Sequence, residues 1–195
     1  MTKHLIYFSA SAATSGKALS DGNLMHAGRM DIAIHSFIQG VFLSHGFRKD
    51  ITFHFIFYGM PDPPKHIQIT VTDELDVSKK DVGNLIKKIL YKYKQGENTE
   101  VFPGCFIEKK SLLNVIQDLL DKDVEVFILD KKGKSIREVK IPKECAFLLG
   151  DHEGLPTKEM KRLKGVLTPV SVGPHMYFAS QTVAVVNNEL DYRGI

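Results

Sequence analysis

Residues 147–163 read FLLGDHEGLPTKEMKRL. Phe147, Leu148 and Leu149 are apolar at consecutive positions, the pattern of a strand covered on both faces, and the run stops at Gly150. A loop punctuated by Gly154 and Pro156 follows, and the charged segment after it reads as a helix. Glycine at a strand end lets a ligand come close to the backbone. The pattern soon returns. In VLTPVSVGPHMYFASQTVAVVNNELD, residues 166–191, a strand stops at Gly173-Pro174 and a helix runs towards Asp191. Ligands of open α/β sheets sit beyond the carboxyl ends of the strands, so two successive junctions of this kind mark a candidate binding edge. A tight strand-to-helix connection with no ligand has the same composition.

Outward from these junctions, strand-like and helix-like segments alternate along the whole chain, which predicts an α/β fold with a covered, largely parallel sheet. Further strands are expected from Leu5 (LIYFSA), Thr52 (TFHFIFYG), Ile67 (IQITVTD) and Val124 (VEVFILD). From Ser78, the residues Val82, Leu85, Ile86, Ile89, Leu90 and Tyr93 recur at helical spacing with lysines opposite. Helices are also expected over Asp31 to His45, stopped by Gly46, and over Ser111 to Lys122 with Ser111 as N-cap. Lys131, Lys132 and Gly133 read as the turn of a hairpin between VEVFILD and IREVKI. The stretch from Lys94 to Gly104 reads as a loop. One domain spanning residues 1–195 accounts for the pattern.

Composition narrows the function classes. The 195 residues are 43% hydrophobic and 25% charged, as in ordinary globular chains. A formal net charge of +3 neither identifies nor excludes a nucleic-acid partner. Cys105 and Cys145 lie far apart with no C-x-x-C pattern, so no disulfide framework or zinc site is indicated and a cytoplasmic protein is expected. The apolar run near the N-terminus is too short for a membrane span or signal peptide. The eight histidines show no ligand spacing, so no metal is expected. His54, inside a strand pattern, reads as structural. No dinucleotide fingerprint, P-loop or nucleophile elbow is present.

The ordered set FLLGDHEGLP, VSVGPHMYFASQTVAVVNNELD, GRMDIAIHSFIQGVFLSHGFRKDITFHFIFYG (28–59) and EVFILDKKG (125–133) resembles the tRNA pseudouridine N1-methyltransferase family of the SPOUT superfamily, archaeal in type and with bacterial relatives. The resemblance spans nearly the whole chain. It implies a SPOUT-type fold with a C-terminal trefoil knot, S-adenosylmethionine as methyl donor and no metal. It also implies a homodimer, with tRNA as substrate and methylation at N1 of the pseudouridine at position 54 in the T-loop. Methylation of another RNA site, or an inactive RNA-binding homodimer, are the alternatives within the superfamily.

By the same resemblance the cofactor pocket maps onto Leu129, onto Gly150 and Leu155, and onto Ser171, Val172, Gly173 and Met176, with Thr182 at its border where many relatives carry cysteine. Pseudouridine N1 must lose a proton, which calls for a carboxylate beside the base. Asp21 best matches the family's functional aspartate, with Asp31 as the second candidate. Asp21 is also a normal residue for the turn S-D-G, and Asp31 for the first turn of a helix. Arg29, Arg48, Lys49 and Lys65 are the expected phosphate contacts if they share a face. The C-terminal helix is apolar through Val183, Ala184, Val185 and Val186, more than one core-facing stripe requires, so a second copy of the chain is expected against it.

Overall fold

The computed structural model describes residues 2–75 and 77–195. In chain order its elements are β1 (Lys3–Ser9), α1 (Met30–Val41), β2 (Phe42–Leu43), β3 (Gly46–Phe47), β4 (Ile51–Phe57), β5 (Lys65–Thr70), α2 (Val82–Tyr91), β6 (Thr99–Phe102), β7 (Cys105–Glu108), α3 (Leu112–Leu120), β8 (Glu125–Ser135), β9 (Cys145–Gly150), α4 (Thr157–Arg162), β10 (Thr168–Ser171) and α5 (Ala179–Tyr192). Eight strands form one sheet in the order β10-β8-β9-β1-β4-β5-β7-β6. From β10 to β4 every pairing is parallel, and β5, β7 and β6 extend the sheet in antiparallel pairs.

Alternation along β1 explains the layering. Leu5 and Tyr7 point into a core shared with α1, α2 and α5, whereas Ile6 and Phe8 point into a second core under α3 and α4. Both faces of the parallel strands are thus covered, as their continuous apolar runs require. On α2 the residues Val82, Ile86, Ile89 and Leu90 are buried and the lysines face outwards. Ser111 caps α3 as expected, its Oγ accepting from the Asn114 amide at 3.3 Å. No helix among the described residues is long and apolar enough to cross a membrane.

Three local expectations are corrected. The first long helix stops at Val41, because Phe42 and Leu43 pair with Phe47 and Gly46 in a small hairpin whose two phenylalanine rings lie 4.9 Å apart. The stretch 94–104 holds β6, which pairs with β7 and closes the antiparallel edge. The expected hairpin at 131–133 is instead a bulge. Ile128 pairs with Pro169 and Lys134 with Val170, both in the parallel sense, so the chain loops out between them and carries on in its original direction. Turn-forming residues mark both geometries, and only pairing with the same neighbour strand separates them.

A polar ladder crosses the face of the sheet that also carries Ile6 and Phe8. His4 Nδ1 lies 2.9 Å from His54 Nε2, His54 Nδ1 lies 2.9 Å from His66 Nε2, and His66 Nδ1 lies 3.0 Å from the Glu108 carboxylate. The carboxylate only accepts, so His66 Nδ1 donates to it; His54 Nδ1 then donates to His66 Nε2, and His4 Nδ1 to His54 Nε2. The direction holds only while the His54 and His66 rings are neutral. Burial pushes the pKa of each down: His4 to about 4 with Lys122 assisting, His54 well below its ordinary value with His66 and His4 assisting, and His66 down against the opposing pull of Glu108. The unfolded chain, with ordinary histidines near 6.5, therefore binds more protons than the folded chain once the pH drops below that value. Stability should be flat above pH 7 and fall between pH 6.5 and pH 4, by about 1.4 kcal/mol per pH unit for each ring that stays neutral when folded. Urea midpoints at pH 8, 7, 6 and 5 check this, and equal midpoints throughout would contradict it.

Candidate functional site

The carboxyl ends of β1, β9, β8 and β10 lie along one edge of the sheet, and both glycine junctions are there. At the first, β9 ends on Gly150 and Asp151 turns back to bridge with Gly154. A side chain at position 150 would meet the Gly154 backbone at 2.7 Å, so the loop closes this tightly only over glycine. The Asp151 amide donates to Phe8 O at 2.9 Å, its Oδ2 accepts from Ser9 Oγ at 2.5 Å, and its Oδ1 accepts from the Glu153 amide at 2.8 Å. Ser9 Oγ in turn accepts from the Ala12 amide at 3.0 Å. This nearly buried carboxylate brackets the loop onto the end of β1. The pairing of Asp151 with Ser9 is not visible in the sequence, since the two stand 142 positions apart and Ser9 lies outside the motif that contains Asp151.

The helix leaving this loop is anchored as well. Glu159 on α4 accepts from Tyr58 Oη at 2.6 Å and from the Leu113 amide at 2.9 Å, and so joins α4 to the end of β4 and the first turn of α3. Leu155 and Met160 pack on the core beneath.

At the second junction Ser171 Oγ donates to Gly173 O at 3.0 Å. Ser171, Gly173 and Pro174 face the bulge of β8, and with Lys131, Gly133 and Ser135 they line an open groove of about 420 Å³. Of the expected cofactor residues, Ser171 and Gly173 line this groove, while Leu129 and Val172 lie half-buried against the core. Gly150 and Leu155 belong to the neighbouring loop. Thr182 is half-exposed on the first turn of α5, and Met176 is 83% exposed. The sequence places Lys131 and Gly133 in a hairpin turn and gives no sign of Ser135, so these three groove residues are found only in the structure.

The two candidate carboxylates differ in availability. Asp21 is exposed, and one of its oxygens accepts from the Asn23 amide at 2.9 Å in a turn that continues through Gly22. Asp31 is gripped by Arg29 through two hydrogen bonds of 3.0 and 2.9 Å, which hold its carboxyl below the usual carboxylate range. Beneath them the Tyr7 hydroxyl is buried without a protein partner. Burial, with Asp151 and Asp31 assisting, raises its pKa far above the ordinary phenol value.

The four expected phosphate contacts are all engaged with carboxylates. Arg29 holds Asp31, Arg48 holds Asp191 through two bonds of 2.5 Å, and Lys49 pairs with Asp73. Lys65 is 1% exposed, with its ammonium 2.7 Å from Asp62 and 4.0 Å above the Tyr93 ring. Buried there, it cannot reach an RNA phosphate, and that expectation is corrected. Both thiols are buried as well, which pushes Cys105 up to about 11 and Cys145 up to about 12 and leaves neither as a ready nucleophile.

A family described as "Putative SAM-dependent RNA methyltransferase" matches residues 1–195, and the chain belongs to it. A tRNA (pseudouridine(54)-N(1))-methyltransferase of Pyrococcus abyssi is 35% identical over 87% of this chain and 87% of its own length. The enzyme of the same name from Thermococcus gammatolerans is 33% identical over 85% of each chain. In fold the chain is similar to Archaeoglobus fulgidus Nep1, solved bound to S-adenosylhomocysteine, with a TM-score of 0.66, 13% identity and full coverage of both chains.

Removing the bracket should be costly, because it leaves the Ser9 hydroxyl and the Glu153 amide without their acceptor. Asp151→Ala should lower the unfolding free energy by about 2 to 4 kcal/mol, measured by urea denaturation at pH 7.5. A loss below about 0.5 kcal/mol would show that the loop is held by other contacts.

Proposed function

We propose that the protein transfers a methyl group from S-adenosylmethionine to N1 of the pseudouridine at position 54 in the T-loop of tRNA. The observation that carries this reading is family membership over the full length, combined with both glycine junctions on one edge of the sheet. A cytoplasmic location goes with it. A groove of about 420 Å³ edged by Gly133, Ser135, Ser171 and Gly173 offers backbone and hydroxyl groups to a small-molecule cofactor. In this reading Leu129, Gly150, Leu155, Ser171, Val172, Gly173, Met176 and Thr182 hold the cofactor. When bound, it supplies a methyl group on a sulfonium.

The chain's own part is to orient the base and take its proton. Asp21 accepts the N1 proton as the N–C bond forms, because it is exposed and one oxygen is not committed to its turn. Asp31 is less suited, since its carboxylate is already paired with Arg29 and would lose that pair on protonation. Asp151, buried and fully bonded, keeps the loop in place.

The return of the chain after β9 supports a trefoil knot as the finer description of the fold. β10 lies beyond β8, and α5 then comes back to pack along α1. A homodimer is part of the same reading. Met176 and Phe178, in the segment that follows Gly173, are 83% and 77% exposed, and Ala184 and Val185 are only half-buried on α5. A second copy seated on α1 and α5 covers this surface and completes the cofactor site at Met176. Light scattering should give about twice the 21.9 kDa chain mass. A monomer would remove the partner from the site.

Two substitutions test the chemistry. Asp21→Asn keeps the turn and should lower kcat on pseudouridine-containing tRNA by about 10²- to 10⁴-fold with S-adenosylhomocysteine affinity unchanged. Gly150→Ala should do the reverse in binding, weakening S-adenosylhomocysteine by about tenfold or more, because the added methyl drives the Gly154 loop away. Full activity of the Asn variant would move the proton transfer away from Asp21.

A further inference from the structure

The engagement of Arg29, Arg48, Lys49 and Lys65 leaves open which cations receive the RNA backbone. The outer face of α2 offers half-buried Lys87 and exposed Lys88, continued by exposed Lys92 just past its last residue, and none of the three has a carboxylate within ion-pair distance among the described residues. With Tyr91 they lie opposite the buried face of Val82, Ile86, Ile89 and Leu90, at helical spacing. Tyr91 is 55% exposed, a large ring displayed between cations.

This face is joined directly to the segment that carries Asp21. The turn over Gly16–Leu19 packs on α2, and a side chain at Gly16 would meet the Tyr91 ring at 2.4 Å and Lys87 O at 2.7 Å. Ser20 Oγ lies 2.9 Å from Tyr91 Oη, one residue before Asp21. Lys17, exposed and unpaired among the described residues, projects from the same turn. A polyanion lying on α2 therefore passes beside Asp21. Other unpaired lysines, Lys131, Lys132 and Lys134, stand on the bulge at the cofactor groove, on the opposite half of the sheet.

We propose, resting on the methyltransferase reading, that Lys17, Lys87, Lys88 and Lys92 with Tyr91 form the docking surface for the tRNA backbone. The lysines take successive phosphates, and the tyrosine ring offers a stacking face to an unpaired base of the loop. Charge complementarity selects the occupant, since cations clustered without acids repel one another until an anion is bound.

The test uses the full-length protein and a T-loop-containing tRNA transcript carrying pseudouridine. The triple variant Lys87→Gln, Lys88→Gln, Lys92→Gln should weaken tRNA binding by about tenfold or more at 0.1 M KCl. It should also flatten the slope of log K against log salt by about 0.7 to 0.9 per lost contact, with S-adenosylhomocysteine affinity unchanged. The single variants carry the same expectation for one contact each if the triple does not fold. A comparison triple at exposed lysines outside both α2 and the groove, Lys140→Gln, Lys143→Gln, Lys164→Gln, should leave the slope within one contact of the parent. Parent-like binding by the α2 variants would overturn the surface, including the case in which it serves an acidic protein instead; so would a full loss in the comparison triple. A parent protein that methylates the tRNA while the α2 variants bind normally defeats this surface alone. A parent that neither binds nor methylates tRNA defeats the functional reading and the surface with it.

Discussion

The hydrogen bonds that Asp151 makes to the end of β1 are the constraint on which the candidate site depends. β1 lies between β9 and β4, with a partner on each side, and cannot shift without moving both. By accepting from Ser9 and donating to Phe8, Asp151 transfers that rigidity to the loop after Gly150. Glu159 then fixes the helix that follows by bonding Tyr58 and the start of α3. A loop rich in glycine would otherwise sample many conformations, and binding would have to meet that ordering cost each time. Two buried or half-buried carboxylates, each satisfied by several donors, hold one conformation before any ligand arrives.

The parallel and antiparallel halves of the sheet divide the work. The parallel strands bring their carboxyl ends, and so their loops, to one edge, which is where backbone amides and carbonyls are free to meet a ligand. The antiparallel extension contributes no such edge. It carries the far end of the histidine ladder, His66 on β5 and Glu108 on β7, and the buried Lys65 paired with the more exposed Asp62, polar groups whose partners are all within the sheet or its connecting loops. These interactions fix the relative register of β1, β4, β5 and β7, because a one-residue slip would turn the histidines to the opposite face and break each bond. The device is conditional on pH, since it holds only while the two rings that accept, His54 and His66, are neutral.

Most of the scaffold was legible in the sequence for a local reason. The runs of Leu, Ile, Val and Phe in β1, β4 and β9 and the three- and four-residue spacing in α2 each state their own structure within a few residues. Where the reading failed, the deciding partner was remote. The bulge at 129–133 and a hairpin share the same turn residues, and β10, some forty positions later, decides between them. β6 was hidden by the glycines and proline that flank it. The Asp151 bracket needs Ser9, and the pairing that occupies Arg48 needs Asp191, 143 positions away. A charge seen in sequence shows that a cation is present and says nothing of whether it is already neutralised.

That last distinction also orders the cations by function. A cation already hydrogen-bonded to a carboxylate must break that contact to take a phosphate, so its net gain is the difference of two similar interactions. Buried Lys65 would in addition have to leave the Tyr93 ring and expose a packed site. A lysine in solvent with no acid nearby meets a phosphate at the cost of counterions and side-chain freedom only, and the released counterions favour the complex. Among lysines of equal charge, those in the structure with no competing anion are therefore the ones whose contribution to RNA affinity should be largest. On α2 such lysines share one helical face, so they lose least freedom in forming a common surface, and the face they share is bonded to the turn that holds Asp21.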